Sequence, residues 1–479
     1  MRKSIFKLSF WVAVCMALFS CEKTADTNTA TGAARDQKYY ANLFAYNIMN
    51  PYYLWRDSME KELKDWTYTV DTKEKVASLR YKENGKLVDR WTEFMEDYTP
   101  FQSSVTGNGK SFGMDFVLLR VQDSEDVVME ITYTYADSPA RKAGLKRGDI
   151  VRSVDGETLN MSNYAALLNE KVYDFPGTIA LGMLDGSSVS MTAVQMYANP
   201  VHVAKTLDVN GTRVGYLHFT GFTLDACKDL VDVFRQFKAD GIQELVLDLR
   251  YNSGGYVTTG QVLGSLIAPP DVVKQKAVFN KDVYNSLIGP DMDTETPFVS
   301  TMEVTLSSGK IMLNMLNANP DIARLWVLVT GQSASASESL ICGLKPYMDV
   351  RLVGTQTYGK FCGGYLITAE SWYERLKEEK TDIDFTEAYR HTKTMGLYVI
   401  ASRYSDCNGV TLSMPDGIPV DYEAYDNPRD GFELGDPSES MLSVALGRMS
   451  GNPVAVATKS AAEQTIVPFE KPGYGVLLH

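Results

Sequence analysis

The period of hydrophobic and polar positions changes twice along the chain. In residues 36–98, Leu43, Phe44, Ile48, Met49, Tyr52 and Tyr53 recur near helical spacing, broken by Pro51. Leu87, Val88, Trp91, Phe94 and Met95 form a second apolar cluster. This pattern predicts a helical region over 36–105. At helical spacing Trp55, Trp66 and Trp91 read as core rather than as a sugar-binding face. From Lys110 the pattern shifts to short strands, Phe112–Leu119 and Val127–Tyr133, opening a second region over 110–198. After Pro200 it becomes strand–helix–strand. Arg213–Phe219 reads as a strand, Leu224–Ala239 as a helix, and Gln243–Leu249 as a nearly all-apolar strand suited to burial on both faces. A helix near 258–267, an apolar run Leu325–Thr330, a helix over Ser337–Tyr347 and a second run Val350–Val353 follow. That order predicts an α/β core over 205–450 with a parallel sheet and right-handed crossovers. Residues 270–320 read as an irregular insertion bordering the cleft. Gly417–Asp421 reads as a turn, Glu439–Met449 as a terminal helix, and 451–479 as a tail.

The first residues change the picture of where the chain resides. Arg2, Lys3 and Lys7 precede an apolar run from Leu8 to Phe19, long enough for a secretory leader and too short for an ordinary membrane-spanning helix. The run closes on Leu18-Phe-Ser-Cys21, which resembles a bacterial lipobox. The resemblance implies a leader over 1–20, lipidation at Cys21 and a tether over 21–35, with the protein anchored in a bacterial cell envelope. A plain secretory signal cut nearby is the alternative. The polar, aperiodic stretch after Cys21 suits a flexible tether.

Composition narrows the function. At 479 residues the chain is long for one domain. Its formal charge of −13 argues against nucleic-acid binding. The four histidines, His202, His218, His391 and His479, show no metal-ligand spacing, and no Cys-x-x-Cys pair exists, so neither a metal nor another cofactor is expected. Downstream of the leader, Cys227, Cys342, Cys362 and Cys407 read as four buried thiols; export would permit disulfides, and nothing in the spacing says which would pair.

The candidate chemistry lies at two strand ends. Gly331-Gln-Ser-Ala-Ser-Ala-Ser-Glu338 follows one apolar run and opens a helix; Gly354-Thr-Gln-Thr-Tyr-Gly-Lys360 follows the next. If those strands are neighbours, Ser335 and Lys360 leave the sheet by the same edge, where open α/β sheets place their sites. A hydroxyl needs a base to become a nucleophile, and with few histidines the economical base is a neutral lysine. The N–H of Ala336, with one from Gly254 or Gly255, could stabilise an oxyanion. Taken singly, the serines would be a solvated turn and helix cap.

Four motifs in order carry a family resemblance: Asp248-Leu-Arg-x-Asn-x-Gly-Gly255, Ser333-Ala-Ser-Ala-Ser-Glu338, Thr357-Tyr-Gly-Lys360 and Gly417-Ile-Pro-x-Asp421. They look like the C-terminal processing (tail-specific) serine proteases. Upstream, Asp137-Ser-Pro-Ala through Gly148-Asp149, with Val154-Asp-Gly156, resembles a PDZ domain. The resemblance implies a ClpP/crotonase-like α/β protease core, an inserted or preceding PDZ domain and a helical N-terminal region. It implies Ser335 as nucleophile and Lys360 as base, cutting unfolded or C-terminal protein segments. In the PDZ region it implies a groove helix over Met161–Lys171, a closing hairpin over 177–194, and peptide binding by the loop holding Phe112, Gly113 and Met114. The family often carries a glutamine four residues beyond the lysine, where this chain has Gly364; Gln356 and Glu338 are the candidates to orient the base instead. Two other readings stand beside it: a non-catalytic peptide-binding lipoprotein on the same fold, and a small-ester or amide hydrolase. The oligomeric state is not legible.

Overall fold

A computed structural model describes residues 35–452, except 175, 379–384, 412–413 and 415, together with the backbone of 465–466 and 477–478. The leader, Cys21 and the tether up to residue 34 lie outside the described residues. The chain divides into two compact units. One comprises residues up to Glu96 with Val283–Thr294 and Leu366–Ala401; the other comprises Asp97–Asp282, Glu295–Tyr365 and the chain from Ser402 onward.

In the first unit, the Asp36 carboxylate caps the helix Gln37–Tyr52 by accepting from Tyr39 N–H at 2.9 Å. Pro51 sits in its last turn and the helix stops one residue later. Trp66 and Trp91 are buried, and Trp66 Nε1 donates to Asn42 Oδ1 at 2.8 Å, which makes it a core residue. Trp55 stacks on Tyr81. The region is less helical than its spacing predicts: beyond Tyr52 come only short helices, and Glu93–Met95 pairs as a strand with Gly396–Tyr398.

In the second unit, the PDZ-like region is built on β1 (Met114–Arg120), β2 (Val127–Thr134), β3 (Ile150–Val154), β4 (Thr178–Met183) and β5 (Ser188–Thr192), ordered β5-β4-β3-β2-β1. The β4–β5 hairpin is the expected one. The groove helix is shorter than expected, Tyr164–Leu168, and continues as a π-turn through Asn169–Asp174.

The core sheet holds β6 (Val201–Val209), β7 (Thr212–Phe219), β8 (Glu244–Asp248), β10 (Arg324–Val329), β11 (Asp349–Gly354) and β13 (Tyr422–Glu423), side by side in that order. The short strand β9 (Gly255–Tyr256) follows β8 in the chain, and β12 (Cys362–Thr368) follows β11; both lie outside this sheet. From β7 to β13 every pairing is parallel. Alternate residues face opposite sides. Leu217, Leu245, Leu247, Leu325 and Val327 pack on the helices Ala226–Asp240, Val257–Ile267 and Ala336–Leu344. Tyr216, Val246, Trp326 and Leu328 pack on the helix Ser440–Met449. Each buried side chain of this size contributes about 1.5–3 kcal/mol, so the two apolar faces fix the strand order. Residues 270–320 are not irregular: they include a helix, Pro270–Lys274, and a hairpin, Thr301–Leu306 with Gly309–Asn314. Cys227, Cys342, Cys362 and Cys407 form no disulfide; Cys227 and Cys362 are buried as expected, while Cys342 and Cys407 are only partly so.

Candidate active site

Strands β8, β10 and β11 are adjacent and parallel, so the segments after them emerge at one edge. After β10 the chain turns sharply at Ser335, which holds φ 59° and ψ −109° before the helix Ala336–Leu344 begins. A non-glycine residue in that region carries strain and exists only where its surroundings enforce it. They do so here. The Ser335 N–H donates to Glu338 Oε2 at 2.9 Å, and the Ser335 carbonyl accepts from Tyr404 OH at 3.0 Å. The Ser335 hydroxyl itself is buried and makes no hydrogen bond.

The same two partners hold Lys360. Its N–H donates to that same Glu338 Oε2 at 2.9 Å, and its carbonyl accepts from Tyr404 OH at 2.8 Å. Glu338 Oε1 accepts from Thr357 Oγ1 at 2.5 Å and from Gly359 N–H at 2.8 Å. Burial pushes the Glu338 carboxyl up, while Thr357 and the three N–H donors oppose that shift. One carboxylate and one phenol therefore staple the two loops together. Lys360 is fully buried.

The loop after β8 completes the edge. Asn252 Nδ2 donates to Phe219 O at 2.8 Å, and the Asn252 carbonyl accepts from Ala334 N–H and Ser337 Oγ at 3.1 and 3.0 Å. Ser333 Oγ donates to Leu249 O at 2.8 Å. Gly254 N–H is engaged by Asn252 Oδ1 at 2.9 Å, which leaves Gly255 as the better-placed of the two oxyanion candidates. Gly255 has φ 140°, and a Cβ there would lie 2.5 Å from Phe222 O. Ala336 is the first residue of its helix, where N–H groups have no partner within the helix.

Beneath this loop lies a buried ionic cluster. Arg250 pairs with Asp248 at 2.7 Å and with Glu439 at 2.6 Å, and Arg147 from the PDZ-like region pairs with Asp426 at 2.6 Å. Arg147 also donates to Tyr251 OH at 2.7 Å. Burial pushes Asp426 up, but Arg147 and Arg250 outweigh it and bring the carboxyl to about 2. Above the loop, a cleft of about 250 Å³ is lined by Phe112, Met114 and Asp115 on one side and by Gly254, Gly255 and Gln332 on another.

The remaining expected residues sit as follows. Gln356 is exposed and its amide donates to Gly417 O at 3.1 Å. Of the two candidates for ordering the lysine loop, Glu338 is therefore the one that contacts it. Phe112 is buried and its carbonyl accepts from Ala140 N–H at 2.9 Å; Gly113 N–H donates to Ser111 Oγ at 3.0 Å. Gly364 lies in β12. Sequence reasoning missed Tyr404, which stands in an apolar strand with no motif around it. It also missed the roles of Asp426 and Glu439, whose partners lie far away in the chain. Among the described residues no group of three His, Cys, Asp or Glu side chains could hold a metal ion.

Residues 213–397 match the family model for Peptidase family S41, and residues 130–173 match that for a PDZ domain. A probable CtpA-like serine protease of Staphylococcus aureus (strain COL) is 26% identical over 281 residues, covering 57% of this chain and 49% of that protein. The carboxyl-terminal-processing protease of Synechocystis sp. is 24% identical over 385 residues, covering 79% of this chain and 77% of its own length. The chain spans about half the length of the curated relatives it matches first. Among solved structures, a candidate S41 protease of Bacteroides fragilis NCTC 9343 superposes with a TM-score of 0.59 at 20% identity, covering 85% of this chain and 97% of that one. The chain thus shares the fold of that S41 protease, and its α/β core and the region before it match the S41 and PDZ family models.

Proposed function

We propose that this chain, with its S41 core and PDZ domain, is a serine peptidase that cuts protein or peptide substrates with Ser335 as nucleophile and Lys360 as general base. The observation that carries the reading is the Glu338 carboxylate, whose one oxygen accepts from the N–H groups of both residues. A carboxylate so placed sets two loops in register, which a solvated turn does not require. The unpartnered Ser335 hydroxyl is ready to be activated. A lysine acts as a base only when neutral, and burial favours that form.

In the reaction Ser335 Oγ attacks the scissile carbonyl carbon and its proton passes to Lys360 Nζ. The carbonyl oxygen becomes an oxyanion facing the N–H groups of Ala336 and Gly255. Lys360 then gives the proton to the leaving amine as the C–N bond breaks, and water hydrolyses the acyl ester with Lys360 again taking the proton. Extended, unfolded segments, including those near C-termini, are the substrate class, because a peptide must lie along strand edges to reach the turn. We further propose anchoring to a bacterial cell envelope through lipid on Cys21, on the strength of the leader pattern. Loss of lipid labelling in Cys21→Ser, against labelled parent, tests it. Among the described residues no helix is long and apolar enough to cross a membrane.

The test is cleavage of an unfolded, alkylated protein by the parent, Ser335→Ala and Lys360→Ala. The parent should cut, and Lys360→Ala should lose about 10²–10⁴-fold, the usual contribution of a general base. Ser335→Ala should lose at least as much. Gly364, where the family often has glutamine, favours the second reading, a peptide-binding protein without catalysis. Peptides that bind but survive intact would establish that reading.

A further inference from the structure

Two short strands late in the chain are paired with the elements a substrate would use. β14 (Thr465–Ile466) lies antiparallel on β1, with Thr465 opposite Arg120 and Ile466 opposite Leu119. β1 is otherwise the edge strand of the PDZ sheet, and adding an extended strand to a sheet edge is how such grooves take peptides. β15 (Leu477–Leu478) lies parallel to β9, with Leu477 opposite Gly255 and Leu478 opposite Tyr256. On its other side Leu478 pairs with Gly364 of β12. The second strand thus sits between the oxyanion glycine and the position where a glutamine side chain is absent. Glycine at 364 presents no side chain to a strand laid beside it. The cleft lies between the stations: Met114 and Asp115 at the start of β1, the strand that carries the first, line it together with Gly255, which carries the second. Ile466 and Leu477 are eleven residues apart in the chain.

We propose that the edges of β1, β9 and β12 form one two-station peptide site, and that this chain's own strands β14 and β15 are its resident occupants. A substrate must displace those two strands, because each strand edge hydrogen-bonds one neighbour at a time. The occupant also states the preferred ligand chemistry: an extended polypeptide with a β-branched pair at the PDZ station and an apolar pair about eleven residues further on, a spacing taken from this chain's own strands. The consequence for turnover rests on the serine-peptidase reading; the occupancy does not.

The test uses the full chain and a fluorescein-labelled synthetic peptide with the sequence of residues 463–479. Its binding is measured by anisotropy to the parent and to an Ile466→Pro/Leu477→Pro variant, since proline cannot donate to a ladder. The variant should bind the peptide at least tenfold more tightly than the parent. Equal affinity, or no binding to the variant, overturns the proposal. Should the variant fail to fold, an Arg120→Cys/Thr465→Cys chain decides: residues directly opposite across an antiparallel pair are close enough to bridge. Mild oxidation should give an intramolecular disulfide between positions 120 and 465 by peptide mapping, and its absence overturns the proposal. Neither readout needs cleavage, so an inactive protein would count against the peptidase reading alone.

Discussion

At Ser335 a strained backbone is held by two side chains, Glu338 and Tyr404, that also hold Lys360. Their removal should therefore separate positioning from bulk stability. Glu338→Gln replaces one carboxylate oxygen with an N–H₂ group among donors and leaves buried N–H groups without an acceptor. It should cost about 1–3 kcal/mol in urea unfolding, and kcat should fall more than KM rises. Tyr404→Phe keeps the ring and its packing but releases both carbonyls. It should cost about 1–2 kcal/mol, again with the larger kinetic effect on kcat. Unchanged kcat in both variants would show that the staple is structural only. The serine, the lysine and the glutamate were legible in the sequence because they stand within motifs. Tyr404 was not, since its contribution is a hydroxyl delivered from a strand remote in the chain, and nothing in the local pattern distinguishes that hydroxyl from ordinary core.

The elements that carry the site are the central parallel strands, and these are the ones that apolar runs reveal. Leu245–Leu249 and Leu325–Val329 are buried on both faces, so their pattern is continuous and hard to miss. The strands in 301–314 leave no apolar run to mark them, because their burial alternates with exposed threonine, glutamate and lysine and their hairpin faces water on one side. The groove helix is shorter than its spacing predicts because that spacing continues into a π-turn, which propensity does not mark. One prediction belongs to this scale. Gly354 ends β11 with φ 137°, and a Cβ there would sit 1.9 Å from the Val329 carbonyl oxygen of β10. Gly354→Ala must spread the strands that carry Ser335 and Lys360. It should lower stability by roughly 3 kcal/mol or more and abolish cleavage, as thermal unfolding and turnover would show.

Across the second unit, charge and proton linkage tie the PDZ region to the core. Arg147→Ala leaves Asp426 and Glu439 short of a buried partner and should cost about 3–5 kcal/mol. Asp426 is brought from 3.8 to about 2, so its contribution of about 2 kcal/mol is present above pH 3.8 and is lost as pH falls toward 2. A second window lies nearer neutrality. His202 and His218 share a 2.9 Å contact between their Nδ1 atoms, which requires one donor and one acceptor. Burial lowers both below 6.5; at His202 the Thr134 carbonyl and Asp115 oppose the shift and Arg141 adds to it, and at His218 His202, Arg250 and Arg147 all add to it. Their stabilisation is complete above pH 6.5 and falls away below it, so the unfolding midpoint should drop between pH 7.5 and 5.5. His218→Asn should flatten that slope. The central claim, that Ser335 is the nucleophile of a peptidase, is tested most directly by trapping its acyl intermediate. A peptide ester is mixed with the protein, the mixture is acid-quenched, and the adduct is mapped by mass spectrometry. The account predicts an ester on Ser335 that disappears in Ser335→Ala; an adduct on another residue, or one that persists in that variant, would contradict it.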